Sequence, residues 1–296
     1  MTSRPTALLG APSAIGIRPY ADGTIRRLDL APAALRAQGL VAALGADDLG
    51  DVAPPVLDLA QPPGRPRYAA DVAAYSQDLA NHVRTVGDRF ALILGGDCSI
   101  LLGTALGLRA AQGAPIGLVY VDAHADYATL ESSPSGSPCS MNLSLVTGRI
   151  DTALARLDGA GPLVRPDDVV HIGAREQDLR YGRRDLTESA VLDFSGDQLR
   201  TQGPAGTARA ALERATQAPG GFVIHVDVDV LDPGVMSAVD TPEPDGLTPA
   251  ELGALLAPLT ASPHALGLQL TIYDPTMDPD RAGAAGLATL LVDVLT

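Results

Sequence analysis

FVIHVDVDVLDP, from Phe222 to Pro233, reads as a buried strand that runs straight into acid. Phe222 to Val226 carry no carboxylate, and Asp227, Asp229 and Asp232 follow at once. Two other stretches are built the same way: FALILGGDCS, from Phe90 to Ser99, and IGLVYVDAHAD, from Ile116 to Asp126. Strands that are apolar throughout, rather than alternating, are the mark of parallel strands covered on both faces. In open parallel sheets, ligands gather at the carboxyl edge, where the loops converge. The three acidic patches are therefore expected to meet at one place.

Working outward, further strands are predicted at Thr6 to Leu9, Val169 to Ile172 and Ala265 to Ile272, with weaker ones at Asp47 to Asp51 and Ala190 to Leu192. Helical stretches fall between them at Ala31 to Leu44, Ala69 to Thr85, Ile100 to Ala111, Ala205 to Ala215, Pro249 to Leu259 and Ala282 to Leu295. Repeated β–α units predict a three-layer α/β/α sandwich around one mainly parallel sheet. The Pro-rich stretch from Ala53 to Pro66 is expected to be a surface loop, since helix and strand resume on either side without a change in composition. One domain spanning residues 1–296 follows.

The charge of −14 argues against nucleic acid, which needs clustered Lys and Arg. No apolar run is long enough for a membrane span, and MTSRPTALLG makes a poor signal peptide. Two Cys are too few for a disulfide framework, so a reducing cytoplasm is the expected compartment.

Strand geometry sends residues i and i+2 to the same side, so Asp227 and Asp229 leave the strand end together. Two adjacent carboxylates there repel unless a cation or a proton neutralises them. Asp122, His124 and Asp126 repeat the stagger, and mixed carboxylate–imidazole ligation suits Mn²⁺, Zn²⁺ or Fe²⁺ better than Ca²⁺. Asp232, just before Pro233, reads instead as a turn-shaping residue.

In order and spacing, GGDCS, DAHAD, the Ser-Gly segment from Ser135 to Met141, and DVDVLDP with DTPEPDGLT resemble the arginase/agmatinase (ureohydrolase) family. The resemblance implies an eight-stranded α/β/α sandwich and two Mn²⁺ ions sharing a hydroxide that attacks a guanidinium carbon. It implies that Asp122 and Asp227 bridge the ions, that Asp126 binds the first ion and accepts a hydrogen bond from the hydroxide, and that His124 and Asp229 complete the second site. It also implies a small-molecule substrate and a homotrimer or homohexamer.

Three positions depart from the family pattern. Cys98 stands where the first motif normally carries a metal-binding His. A thiolate can replace imidazole as a ligand and favours a softer ion; a small buried thiol with no metal role is the other reading. Cys139, or a neighbour, falls where arginases place a His that shuttles protons, and Ser137 lies beside it as a substrate contact. A loop thiol without chemistry is the alternative for Cys139, and a reversible bond between the two sulfurs is conceivable. Finally, Ile272 or its neighbours occupy the place of the Glu that grips the guanidinium; Asp240 is an acid able to substitute, while Asp274 falls out of register.

Of the remaining histidines, His225 lies two residues before Asp227 on the same face, so it reads either as packed within the strand or as a support behind the metal ligands; His171 reads as a core residue, and His82 and His264 as surface. Together the residues predict a metal-dependent C–N hydrolase of a guanidino, N-hydroxyguanidino or related amidine group. A Cys in the first motif occurs in a ureohydrolase branch thought to act on N-hydroxyarginine. The alternative is a degenerate, non-catalytic relative that binds a small molecule or a subunit.

Overall fold

Eight strands form in the computed structural model, which describes residues 4–56, 58, 63–159, 161–175 and 182–296. They are β1 (Thr6–Ala11), β2 (Asp47–Asp51), β3 (Phe90–Gly95), β4 (Gly117–Val121), β5 (Val169–Ile172), β6 (Leu192–Phe194), β7 (Phe222–Asp227) and β8 (Ala265–Thr271). Every neighbouring pair is parallel, in the order β2-β1-β3-β8-β7-β4-β5-β6. The helices are α1 (Ala31–Arg36), α2 (Leu40–Leu44), α3 (Ala69–Arg84), α4 (Leu101–Gln112), α5 (Asn142–Val146), α6 (Arg183–Thr187), α7 (Gly196–Gln202), α8 (Pro204–Ala215), α9 (Pro249–Thr260) and α10 (Ala282–Leu295).

The all-apolar strands feed two cores. Leu8, Leu92 and Leu94 pack with residues of α1, α8, α9 and α10 on one face of the sheet. Ala7, Leu9, Ala91 and Ile93 pack with α3, α4 and α5 on the other. Adjacent residues of one strand thus point into opposite layers, as the pleat requires. The predicted three-layer sandwich is what forms.

Local differences from the sequence reading have local causes. The single helix expected over Ala31 to Leu44 breaks at Gly39, whose φ of 77° takes the chain out of the right-handed helical region. The weak strand anticipated at Ala190 to Leu192 lies two residues later, as β6. The acidic segment Asp47–Asp51 is an edge strand paired only with β1. Arg36 donates to Asp48 at 2.9 Å and Arg89 to Asp47 at 2.9 Å, so its charges face guanidinium groups. Of the loop from Ala53 to Pro66, positions 57 and 59–62 lie outside the described residues; Val56 is exposed. Among the described residues, no helix is long and apolar enough to cross a membrane.

What matters for function is the strand order. β3, β8, β7 and β4 are consecutive in the sheet, so the three acidic patches emerge along one stretch of its carboxyl edge. Register sets their level: Val121 pairs with Val226, and Asp227 with Thr271, so Asp122 leaves β4 beside Asp227. The loop after β3 fits only without side chains. A Cβ at Gly96 would lie 1.9 Å from the Ser13 carbonyl oxygen, a backbone atom that cannot swing away. Gly96→Ala is therefore expected to lower folding stability by about 1–3 kcal/mol, read by chemical denaturation; an unchanged midpoint would show that the two loops are not packed as described.

Candidate metal centre

Asp97 fixes the first patch. Its Oδ2 accepts from the Ser13 hydroxyl at 2.6 Å and from the Gly16 amide at 3.1 Å, tying the loop after β1 to the loop after β3. Its Oδ1 accepts from the Ser99 amide at 2.9 Å and caps the turn that holds Cys98. Cys98 is buried, and its thiol donates to Asp227 Oδ2 at 3.0 Å. Burial, contact with Cys139 and the charge of Asp227 all push the Cys98 thiol well above its ordinary pKa. Without a cation it stays protonated; a bound cation reverses that preference.

The second and third patches interlock. Asp122 Oδ1 accepts from the His124 amide at 2.6 Å, and Asp227 Oδ1 accepts from the Asp229 amide at 2.9 Å. These two bonds curl each loop so that the alternate side chains converge. His124 Nδ1 lies 3.0 Å from Asp229 Oδ2 and 3.6 Å from Asp122 Oδ1. Asp126 reaches inward from a backbone with φ of 47°, and its Oδ2 accepts from the Tyr120 hydroxyl at 2.8 Å. Asp232 instead accepts from the amides of Gly234 and Gly246, the turn-shaping role expected of it.

The charges of this cluster are frustrated. Burial raises the pKa of Asp122, Asp126 and Asp227, and neighbouring carboxylates raise them further: Asp229 acts on Asp122, Asp122 on Asp126, and both on Asp227. Burial also opposes ionisation of Asp229, but His124 outweighs it and holds that carboxylate low. His124 is itself lifted well above its usual value by Asp229 and Asp122, against the effect of burial. The second oxygen of Asp122 is buried with no hydrogen-bond partner. Such a group costs free energy unless something fills the gap. A set of buried carboxylates, one imidazole and one thiol, with an unsatisfied oxygen among them, fits divalent cations. Asp122, His124 and Asp229 already hold ligand atoms within 4.8 Å of one another, as three donors to one ion must.

A cavity of about 200 Å³ opens over this cluster. Cys98, His124, Asp126, Asp227 and Asp229 line its floor, and Ser137, Cys139 and Asp240 its walls. Asp122 is buried beneath them. The residues expected as metal ligands, proton-transfer groups and substrate contacts thus lie together. Ser137 contributes a buried hydroxyl with no partner, while Asp240 accepts from the Nε of Arg26 and from Thr241, so its charge is already matched. The Cys139 thiol lies 3.5 Å from Asp97 Oδ1, and burial together with the charges of Asp97 and Asp126 pushes it up to about 12. Both cysteines are free thiols. Ile272, in the lining, puts an apolar side chain at the end of β8. Asp274 is turned into the chain, accepting from the amides of Arg27 and Thr276.

Apart from His225, whose place on the face of Asp227 was legible, most of the supporting residues escaped the sequence reading. Two residue pairs below the carboxylates, His171, Tyr120, His225 and Gln269 form a rung across four strands. Tyr120 stacks on His225 with ring centroids 4.4 Å apart, and on His171 at 5.7 Å. His171 bridges the Asp193 carboxylate at 2.9 Å and the His124 carbonyl at 2.8 Å, so it braces the second patch from below. Glu243 lies 3.6 Å from His124 Nε2, and Arg18 is the one guanidinium in the cavity lining among the described residues. The visible clue to the rung was its spacing: Tyr120 and His225 each sit two residues before the first Asp of a patch, on the same side of the strand.

The profile of the Arginase family matches residues 6–296. The arginase of Bacillus caldovelox is 29% identical over 301 aligned positions, covering 99% of this chain and 98% of its own. The N(omega)-hydroxy-L-arginine amidinohydrolase of Streptomyces lavendulae is 32% identical over 199 positions, covering 67% of this chain and 66% of its own. The native crystal structure of the Bacillus caldovelox arginase superposes with a TM-score of 0.86 at 27% identity, covering 99% of this chain and 98% of that one.

The raised carboxylates have a measurable consequence. In cation-free protein, the native state holds protons on Asp122, Asp126 and Asp227 that the unfolded chain has lost above about pH 4. Their contribution to stability is full below that pH and declines as pH rises through the folded values. Added Mn²⁺ takes the place of those protons. Its stabilising effect is therefore predicted to be larger at pH 8 than at pH 5, compared by calorimetry with and without chelator; a larger gain at low pH would contradict this assignment.

Proposed function

This chain belongs to the arginase family, and from that premise we propose that it is a metal-dependent amidinohydrolase that cleaves the C–N bond of an N-hydroxyguanidino acid of the N-hydroxyarginine type. The observation that carries the reaction class is the convergence of Asp122, His124, Asp126, Asp227 and Asp229 beneath one small cavity. In this reading Asp122 and Asp227 would be shared by two cations, Asp126 and Cys98 would serve the first, and His124 and Asp229 the second. When bound, such a pair would lower the pKa of a shared water and stabilise the tetrahedral arrangement formed as that water adds to the carbon; Mn²⁺ is the ion the family favours.

The protein's own groups do the rest. Asp126, held by the Tyr120 hydroxyl and raised in pKa by burial and by Asp122, is placed to accept the proton that the attacking water gives up. Cys139 keeps its proton at neutral pH and faces the cavity, where it can return a proton to the departing amine.

The substrate reading rests on the cavity lining. Ile272 offers no acceptor to a guanidinium, and Asp240 is already engaged by Arg26. Hydroxylation makes a guanidine less basic, so an N-hydroxyguanidine reaches this wall with less need for a carboxylate. Arg18 supplies a cation for the acid end, and Ser137 a free hydroxyl. The relative from Streptomyces lavendulae bears the name of that activity, which supports the same choice.

Protein reconstituted with Mn²⁺ and offered arginine, agmatine and N-hydroxyarginine should release hydroxyurea from the last with the highest kcat/KM. Arg18→Ala is predicted to raise KM for that acid about tenfold, in the range of a lost charged contact, with kcat little changed. Two bound cations with no turnover on any of the three would favour a non-catalytic binding protein instead.

A further inference from the structure

We propose that His225 supplies the imidazole the first motif lacks, so that the first cation sits among Cys98 Sγ, His225 Nε2 and an Asp122 carboxylate oxygen. This inference rests on the two-cation reading above and assigns a ligand that the motif pattern does not contain.

The starting point is register. His225 lies two residues before Asp227 on β7, so its ring emerges on the same side as that carboxylate, one level deeper. Asp122 stands beside it on β4, and the turn after β3 delivers Cys98 from across β8. Ligand atoms of Cys98, Asp122 and His225 lie within 4.8 Å of one another, and all three residues are buried. That is the second cluster of this kind among the described residues; the first holds Asp122, His124 and Asp229. Asp122 is common to both, as a carboxylate between two ions would be.

A separate observation points the same way. His225 is wholly inaccessible, and its Nε2 has no hydrogen-bond partner. A buried ring nitrogen left unpaired is costly, and here it belongs to the same cluster as the unpartnered second oxygen of Asp122. The other ring nitrogen, Nδ1, meets the side-chain amide of Gln269 at 2.8 Å, and that amide also meets the Thr104 hydroxyl at 2.5 Å. A half-turn of the amide preserves both bonds, with the Gln269 carbonyl accepting from Nδ1 and its NH₂ donating to Thr104. In that arrangement the Nε2 lone pair is free toward Asp122 and Cys98. A ligating His held through its other nitrogen by a carbonyl is the usual way a protein fixes ring and tautomer. Stacking on Tyr120 fixes the ring plane as well.

The thiol and the imidazole then complement each other. One cation beside Cys98 alone would exchange an imidazole for a thiolate; with His225 the site keeps its nitrogen and gains sulfur. A sulfur–nitrogen–oxygen set favours Zn²⁺, Fe²⁺ or Co²⁺, whereas the oxygen-rich set around His124 and Asp229 suits Mn²⁺. The two positions are thus expected to differ in metal preference.

The test uses the full-length protein with isotope-labelled histidine, loaded with NMR-active cadmium. Two cadmium signals are expected, one shifted toward the sulfur-ligand range, with that one coupled to the His225 imidazole and the other to His124. Cadmium filling both sites with no coupling to His225 would overturn this inference and leave the proposed function standing. Protein that binds no cadmium would overturn both. In parallel, Co²⁺ titrations of His225→Gln and Cys98→Ser should each weaken the first site by about 100-fold or more, beyond the 10–100-fold typical of losing a residue behind a ligand. The second site should stay intact, and the thiolate absorption band should disappear in Cys98→Ser only. Unchanged Co²⁺ affinity in folded His225→Gln would also overturn the assignment.

Discussion

Mutual repulsion among carboxylates that the sheet forces together is the constraint on which this molecule turns. Parallel pairing of β4 with β7 sets Asp122 and Asp227 side by side at a buried edge, and the amide-to-carboxylate bonds within each loop draw His124 and Asp229 toward them. Among the described residues, His124 offsets Asp229, and the nearby guanidinium groups are directed elsewhere. Arg26 is engaged with Asp240, and Arg175 donates to backbone carbonyls of residues 229, 230, 243 and 244 rather than to the carboxylates. Protons or cations must make up the balance, and a site with that property is ready for metal-assisted chemistry.

Holding such a cluster open takes rigid surroundings. Asp97 spends both its oxygens on fastening two loops, so its charge serves structure and not the cavity. His171 presses on the second loop from beneath, anchored by Asp193. Tyr120 joins the rung of stacked rings to Asp126 through its hydroxyl. The converging side chains are thus positioned by strand ends and by partners on the next level down, rather than by free loops.

The departures at Cys98, Cys139 and Ile272 are clustered, since all three border the same cavity. Cys98 offers a sulfur within reach of His225 and Asp122, and Ile272 gives the lining an apolar side chain.

From the sequence, the parallel α/β/α sandwich was legible because strands buried on both faces must be apolar throughout, and the site because i, i+2 acids at their ends share a side. Helix breaks such as Gly39 and the shifted β6 were not, since a single glycine or a short edge strand is decided by packing of neighbours distant in sequence. His225 shows the limit most clearly. In the sequence it shares a face with Asp227 and no more; only the order β3-β8-β7-β4 and the register of Tyr120 against it place its ring beside Cys98 and Asp122. Local residue pattern determined which side chains reach the carboxyl edge. Strand order and register, set by the whole sheet, decided which of them meet.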